Sequence, residues 1–196
     1  RSGAGEFRLD VRGVAAHAGI EPEKGASAIH ELARQVVAME ALRDSGISVN
    51  VGLVEGGSRP NVVAEQARCV IDVRVSTAAE RVRVEDALKS LTPSLRGTSI
   101  RVSGAFSCPP LERTEAGLRL YQRAREVASE LGHELGEGST GGRSDGNFTA
   151  ALGVPTLDGL GAVGAGAHAL HEQVEVDEMP WRAALVAGLA RRFDDT

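Results

Sequence analysis

The stretch GAVGAGAHALHEQVEV, residues 161–176, sets His168, His171 and Glu172 close together behind a run of glycines, a composition that suits a metal site. A catalytic zinc takes three protein ligands plus an open position, and a dinuclear site takes about five. At i and i+3 the two histidines would share a face on a helix. Gly164 and Gly166 before them, and the strand-like EQVEV after them, instead place the pair in a loop. Spacing alone leaves His168 open between a ligand and a hydrogen-bonded loop histidine, the second being the default, with His171 the weaker candidate.

Five histidines occur in all. His17 stands in GVAAHAG, between small residues that let another surface come close, and by itself reads as a solvated loop histidine. His30 and His133 fall on helical segments and read as structural or exposed. SRPNVV (58–63) and DVR (72–74) supply an amide, Asn61, and a guanidinium, Arg74, on adjoining strands. Arg74 could hold a carboxylate through two parallel hydrogen bonds, or it could simply pair with Asp72. The loop GSTGGRSDGN (138–147) could cradle an anion with its backbone, but its spacing matches neither the P-loop nor the dinucleotide fingerprint. Ser139 and Ser144 lack a nucleophile-elbow setting, which removes a serine hydrolase.

These residues need elements to hold them. EFRLDVR (6–12) alternates with period two and reads as a strand. Helical spacing from Ala26 to Leu42, with Ser27 near the start, predicts a helix. SVNVGLVEGG and ARCVIDVRV read as strands, Ala78–Leu91 as a helix and SIRVSGAF as a strand. The order β-α-β-β-α-β is the ferredoxin-like split motif, giving an α/β (α+β) fold class. The paired prolines of SCPPLERTEAG mark a boundary, so residues 1–107 form one expected domain and 108–196 another. In the second, helices are expected over Glu115–Leu131 and over PWRAALVAGLARRF, with Pro180 in the first turn.

A formal charge of -5 and a pI near 5.6 argue against a nucleic-acid or anionic-membrane partner. Two cysteines without paired spacing give neither a disulfide framework nor a cysteine zinc site, and fit the cytoplasm. No apolar run reaches membrane-span length, and the first residues lack a signal peptide's apolar segment.

Taken together, RGVAAHAGIEPEKGASAI, GGSRPNVVAEQARCVIDVRV, GGRSDGNFTAALGVPTLDGLG and GAHALHE resemble the zinc-dependent aminoacylase and carboxypeptidase family, in the family's order along essentially the whole chain. That family includes glutamate carboxypeptidases, acetylornithine deacetylases and succinyl-diaminopimelate desuccinylases, and the first branch looks closest. The resemblance implies a ferredoxin-like lid, which also forms a homodimer interface, inserted in a zinc-binding α/β domain. It implies that His168 binds one of two zinc ions and that His17 reaches the neighbouring subunit's active site to stabilise an oxyanion. Asn61 and Arg74 would bind the carboxylate or carbonyl oxygen of a small N-acyl amino acid or peptide, with Gly141, Gly142 and Ser144 supporting the pocket. Asp145 and Glu172 carry over by position without a role.

The family's remaining metal ligands and its general base precede the lid, and no counterpart occurs here. The sequence is therefore expected to be a C-terminal portion of such an enzyme, inactive and without stably bound zinc by itself. A non-catalytic dimerisation or binding module remains the alternative.

Overall fold

In the computed structural model, which describes residues 1–192, the chain divides into two compact units. The first comprises Arg1–Glu112 with Thr140–Arg143, the second Arg113–Ser139 with the chain from Ser144 onward.

The first unit runs β1 (Gly3–Arg12), α1 (Ala28–Glu40), β2 (Ile47–Gly56), β3 (Gln66–Val75), α2 (Ala78–Lys89) and β4 (Ser99–Cys108). The strands form one antiparallel sheet in the order β2-β3-β1-β4, the arrangement expected of the split motif. Period-two alternation turns Phe7, Leu9 and Val11 of β1, and Cys69, Ile71, Val73 and Val75 of β3, to one face. They bury against Leu32 and Met39 of α1 and Val84 and Leu88 of α2. The opposite face is polar by design of register: Glu55 lies across from Arg68, Arg68 from Asp10, and Asp10 from Arg101, so opposite charges alternate over four strands. Gly104 has φ +111, and a Cβ there would meet the Glu6 carbonyl at 2.2 Å, so only glycine lets β4 approach β1 at that point.

Helix starts follow their caps. α1 begins at Ala28, two residues later than its periodicity suggests, because Ser27 takes the cap and accepts the His30 N–H. Thr77 and Glu80 form a capping box on α2. One side chain departs from the pattern: Glu31, on α1, is fully buried. Its carboxylate accepts bonds from Gln35 Nε2 (2.6 Å), Ser94 N–H (3.0 Å), Leu95 N–H (2.7 Å) and Thr98 Oγ1 (3.2 Å), which ties the α2–β4 connection to α1.

The second unit contains α3 (Glu115–Glu130), α4 (Gly146–Ala151), the two-residue strands β5 (Gly164–Ala165) and β6 (Gln173–Val174), and α5 (Met179–Arg191). Ala124, Val127 and Ala128 of α3 pack against Leu185 and Leu189 of α5, with Leu157, Leu160 and Trp181 around them. Gly188 permits that crossing, since a Cβ there would lie 2.6 Å from Val127 Cγ1. α4 falls where the glycine-rich composition reads as open turn. The strand expected at EQVEV shrinks to Gln173–Val174 because a 3-10 turn over Val176–Glu178 leads straight into α5. Phe193, expected in the last helix, lies outside the described residues.

Candidate functional site

Two loops of the first unit, residues 13–27 and 57–65, pair with each other beyond the sheet. Gly13 N–H donates to the Glu65 carbonyl (2.9 Å), Val63 N–H to Ala16 (2.9 Å) and Ala18 N–H to Asn61 (3.0 Å), while His17 bridges Val62. His17 and Asn61 are thus brought together on a hydrogen-bonded backbone, with both residues exposed. Pro60 and Asn61 form the centre of a turn closed by Val62 N–H on the Arg59 carbonyl (3.1 Å). His17 Nδ1 accepts the Gly19 N–H at 3.2 Å. A ring nitrogen that accepts carries no proton, so with Nδ1 engaged the ring's donor is Nε2–H.

Arg74 lies elsewhere. It is next to last on β3, whereas the His17–Asn61 loops adjoin the Gln66 end of that strand. Eight residues of strand separate the two ends, about 26 Å. One protomer therefore does not bring Arg74 to His17 and Asn61. Arg74 uses Nε and Nη2 to grip both oxygens of Asp72, each at 2.8 Å, on the polar sheet face. That fork leaves its Nη1 edge without a protein partner among the described residues.

Gly141 and Gly142 fall with the first unit, where Gly142 N–H donates to Thr140 Oγ1 (3.3 Å). Ser144 falls with the second: its hydroxyl donates to Asp158 (3.0 Å) and its N–H to Asn147 Oδ1 (3.0 Å). Asp145 occupies the N-cap of α4 without a side-chain capping bond.

His168 sits in the connection between β5 and β6, at φ 66, and among the described residues it alone departs from negative φ without being glycine. Such a conformation costs a histidine about 1 kcal/mol or more and persists only where neighbours impose it. Here Ala169 N–H donates to Gly166 (2.8 Å), Glu172 N–H to Ala169 (3.0 Å), and His168 N–H to Glu172 Oε2 (3.4 Å). Glu172 therefore helps to fix the backbone of His168, and the His171 ring packs on Gly166, where a Cβ would lie 2.9 Å from Cδ2. The imidazole of His168 is exposed. Among the described residues no three of His, Cys, Asp and Glu converge, so these side chains do not fit a complete zinc site; His168 offers a single nitrogen.

Two buried polar residues of the second unit escaped the sequence reading, Asn147 and Arg182. Asn147 sits in a glycine-rich stretch read as open turn, and nothing in the pattern of α5 distinguishes Arg182 from a solvated arginine.

Residues 1–95 match the family model of a peptidase dimerisation domain. Carboxypeptidase G2 of a Pseudomonas species is 28% identical over 197 residues, covering 96% of this chain and 47% of that protein. Among solved structures, the aminopeptidase PepT of Bacillus cereus is 26% identical with a TM-score of 0.78, covering 96% of this chain and 51% of the other. A Bacillus subtilis protein described as a dinuclear metal binding peptidase from M20 family shares the fold, with a TM-score of 0.72 at 16% identity, over 96% of this chain and 49% of its own. The chain spans about half the length of the curated relatives it matches.

Proposed function

In residues 1–95 this chain carries the dimerisation domain of the M20 peptidases, and on that premise we propose that the protein works as a homodimeric, zinc-dependent hydrolase of the glutamate carboxypeptidase kind. It cleaves the amide between an acyl or peptidyl group and an amino acid with a free carboxylate. The observation that carries this reading is the exposed His17 ring, whose Nδ1 accepts the Gly19 N–H on a paired loop and so leaves Nε2 as its donor. A hydrogen-bond donor in fixed position is what a developing oxyanion needs, and it requires no proton transfer at the moment of attack.

The distance along β3 supports a division of labour. His17 and Asn61 serve the active site of the partner protomer, and Arg74, at the other end of the strand, binds the carboxylate of a different bound substrate, with Nη1 and Nη2 as the donors. His168 would contribute one nitrogen ligand to the zinc site. Zinc supplies Lewis acidity when bound.

The homodimer forms through the β2 edge and the adjoining face of α1. Leu53 and Val54 on that edge are 64% and 63% exposed, and Val37 on α1 is 72% exposed. A sheet edge with large apolar side chains is a template for pairing with a second copy. Cys69 and Cys108 are buried, in keeping with a cytoplasmic protein. No described helix is long and apolar enough to cross a membrane.

A carboxypeptidase and an aminopeptidase stand among the similar proteins, so the decisive assay compares an N-acyl-glutamate with a tripeptide bearing a free amine, using protein from the whole gene. Hydrolysis of the first supports the reading; hydrolysis of the second alone removes the glutamate carboxypeptidase assignment. The absence of three converging ligands among the described residues favours one other reading, a non-catalytic dimerisation module, and no turnover of either substrate by zinc-loaded protein would establish it.

A further inference from the structure

Arg182, in the first turns of α5, is 9% exposed, and among the described residues it is the one buried cation. A buried charge is costly unless it is paired, and the usual partner is a carboxylate. Arg182 has none. Its Nε donates to the Gly161 carbonyl at 2.9 Å, its Nη2 donates to the Gly159 carbonyl, and its guanidinium carbon lies 5.0 Å from the centre of the Trp181 ring. Trp181 is itself held, with the His133 ring stacked on it at 4.4 Å and its Nε1 bonded to Glu178.

The segment that receives these bonds has no ladder of its own. Residues 154–163 form neither helix nor strand. Leu157 and Leu160 anchor it to the α3–α5 core, and Ser144 Oγ holds Asp158 at 3.0 Å. Two residues separate Gly161 from β5, and Glu175 N–H closes the base of the β5–β6 hairpin on the Val163 carbonyl at 2.9 Å. His168 is carried at the tip of that hairpin.

We propose that Arg182 is a positioning residue for His168: by gripping the Gly159 and Gly161 carbonyls ahead of the hairpin, it ties the strand pair bearing the His168 imidazole to α5. The planar guanidinium fork reaches both carbonyls from one side chain with little further ordering. The inference rests on His168 being a metal ligand, and the test separates the two claims.

Hydrogen exchange is measured on protein from the whole gene, wild type and Arg182→Gln, with zinc per chain determined on the same samples. Loss of two charge-assisted bonds should speed exchange of amides 162–174 by about ten- to a hundredfold while α3 is unchanged, and zinc content should fall. Exchange that rises equally through α3 and α5, or no change in the hairpin, or a loosened hairpin with full zinc, would overturn the positioning role. If Arg182→Gln does not fold, Arg182→Lys decides: it keeps the charge but reaches one carbonyl, so the hairpin should exchange at an intermediate rate, and a wild-type rate would refute the proposal. Full zinc retention by His168→Ala would instead sink the ligand assignment, whatever the exchange data show.

Discussion

Gly19 donates its backbone N–H to Nδ1 of His17 at 3.2 Å, and this bond decides which ring nitrogen carries the proton. With Nε2 left to carry the proton, the exposed His17 is equipped as a hydrogen-bond donor. His17→Ala should lower kcat by about 10²- to 10³-fold in the whole enzyme, with zinc content unchanged. His17→Gln, which retains an N–H donor, should recover part of the loss. Turnover equal to wild type in His17→Ala would remove the role.

Arg74 and Asp72 form a side-on pair, each contact 2.8 Å, on a face that is partly open to solvent. Such a pair contributes about 1 kcal/mol or less to stability, so its mutants should fold. If Arg74 also reads the substrate carboxylate, Arg74→Lys should raise KM about tenfold with little change in kcat. Asp72→Asn should lower KM, because it removes a competing anion. Steady-state kinetics showing neither change would leave the ion pair as the whole role of Arg74.

The apolar edge gives a prediction about assembly. Val37→Glu combined with Leu53→Glu places charge on two exposed apolar positions and should shift the sedimentation mass from dimer to monomer without loss of secondary structure. Because His17 is assigned to the partner's site, the monomer should also lose turnover. A dimeric double mutant would mean that another surface makes the dimer.

Glu31 predicts an acid-sensitive first unit. Burial by itself would push its carboxyl up, but the bonds from Gln35, Ser94 and Leu95 outweigh it and hold the group below its ordinary 4.5. The native state therefore favours the carboxylate. That stabilisation is fully present above 4.5 and is lost as pH falls through the lowered native value. Glu31→Ala should cost about 3 kcal/mol at neutral pH. Glu31→Gln cannot titrate, so thermal melts of wild type and mutant should approach each other as the solution is acidified below 4.5. A constant difference across that range would contradict the assignment.

The first unit was legible because its signals are local and repeated. The period-two runs in β1 and β3 and the cap at Ser27 each name their element from a few residues, and the β-α-β-β-α-β order then determines the sheet. The second unit was legible only at α3 and α5. Its chemistry lies in loops whose shape comes from long-range side-chain bonds: Arg182 to Gly159 and Gly161, and Ser144 to Asp158. Neither bond leaves a trace in periodicity or spacing. Glu31 was hidden for the same reason, since its donors lie some sixty residues along the chain, at Ser94, Leu95 and Thr98. The candidate residues were found one by one, but their partition was not: that Asn61 stands beside His17 and Arg74 stands a strand's length away required the register of β3.

The central claim is that His17 acts in the partner protomer's active site while His168 acts in its own. Subunit mixing tests it most directly. His17→Ala and His168→Ala proteins, each inactive alone, are dissociated, mixed in equal amounts and reassociated, and turnover is measured. In a two-fold dimer, half of the mixed dimers would be heterodimers, each with one intact site, so the account predicts recovery of about a quarter of wild-type activity. If heterodimers form and no activity returns, His17 and His168 serve the same protomer, and the account is wrong.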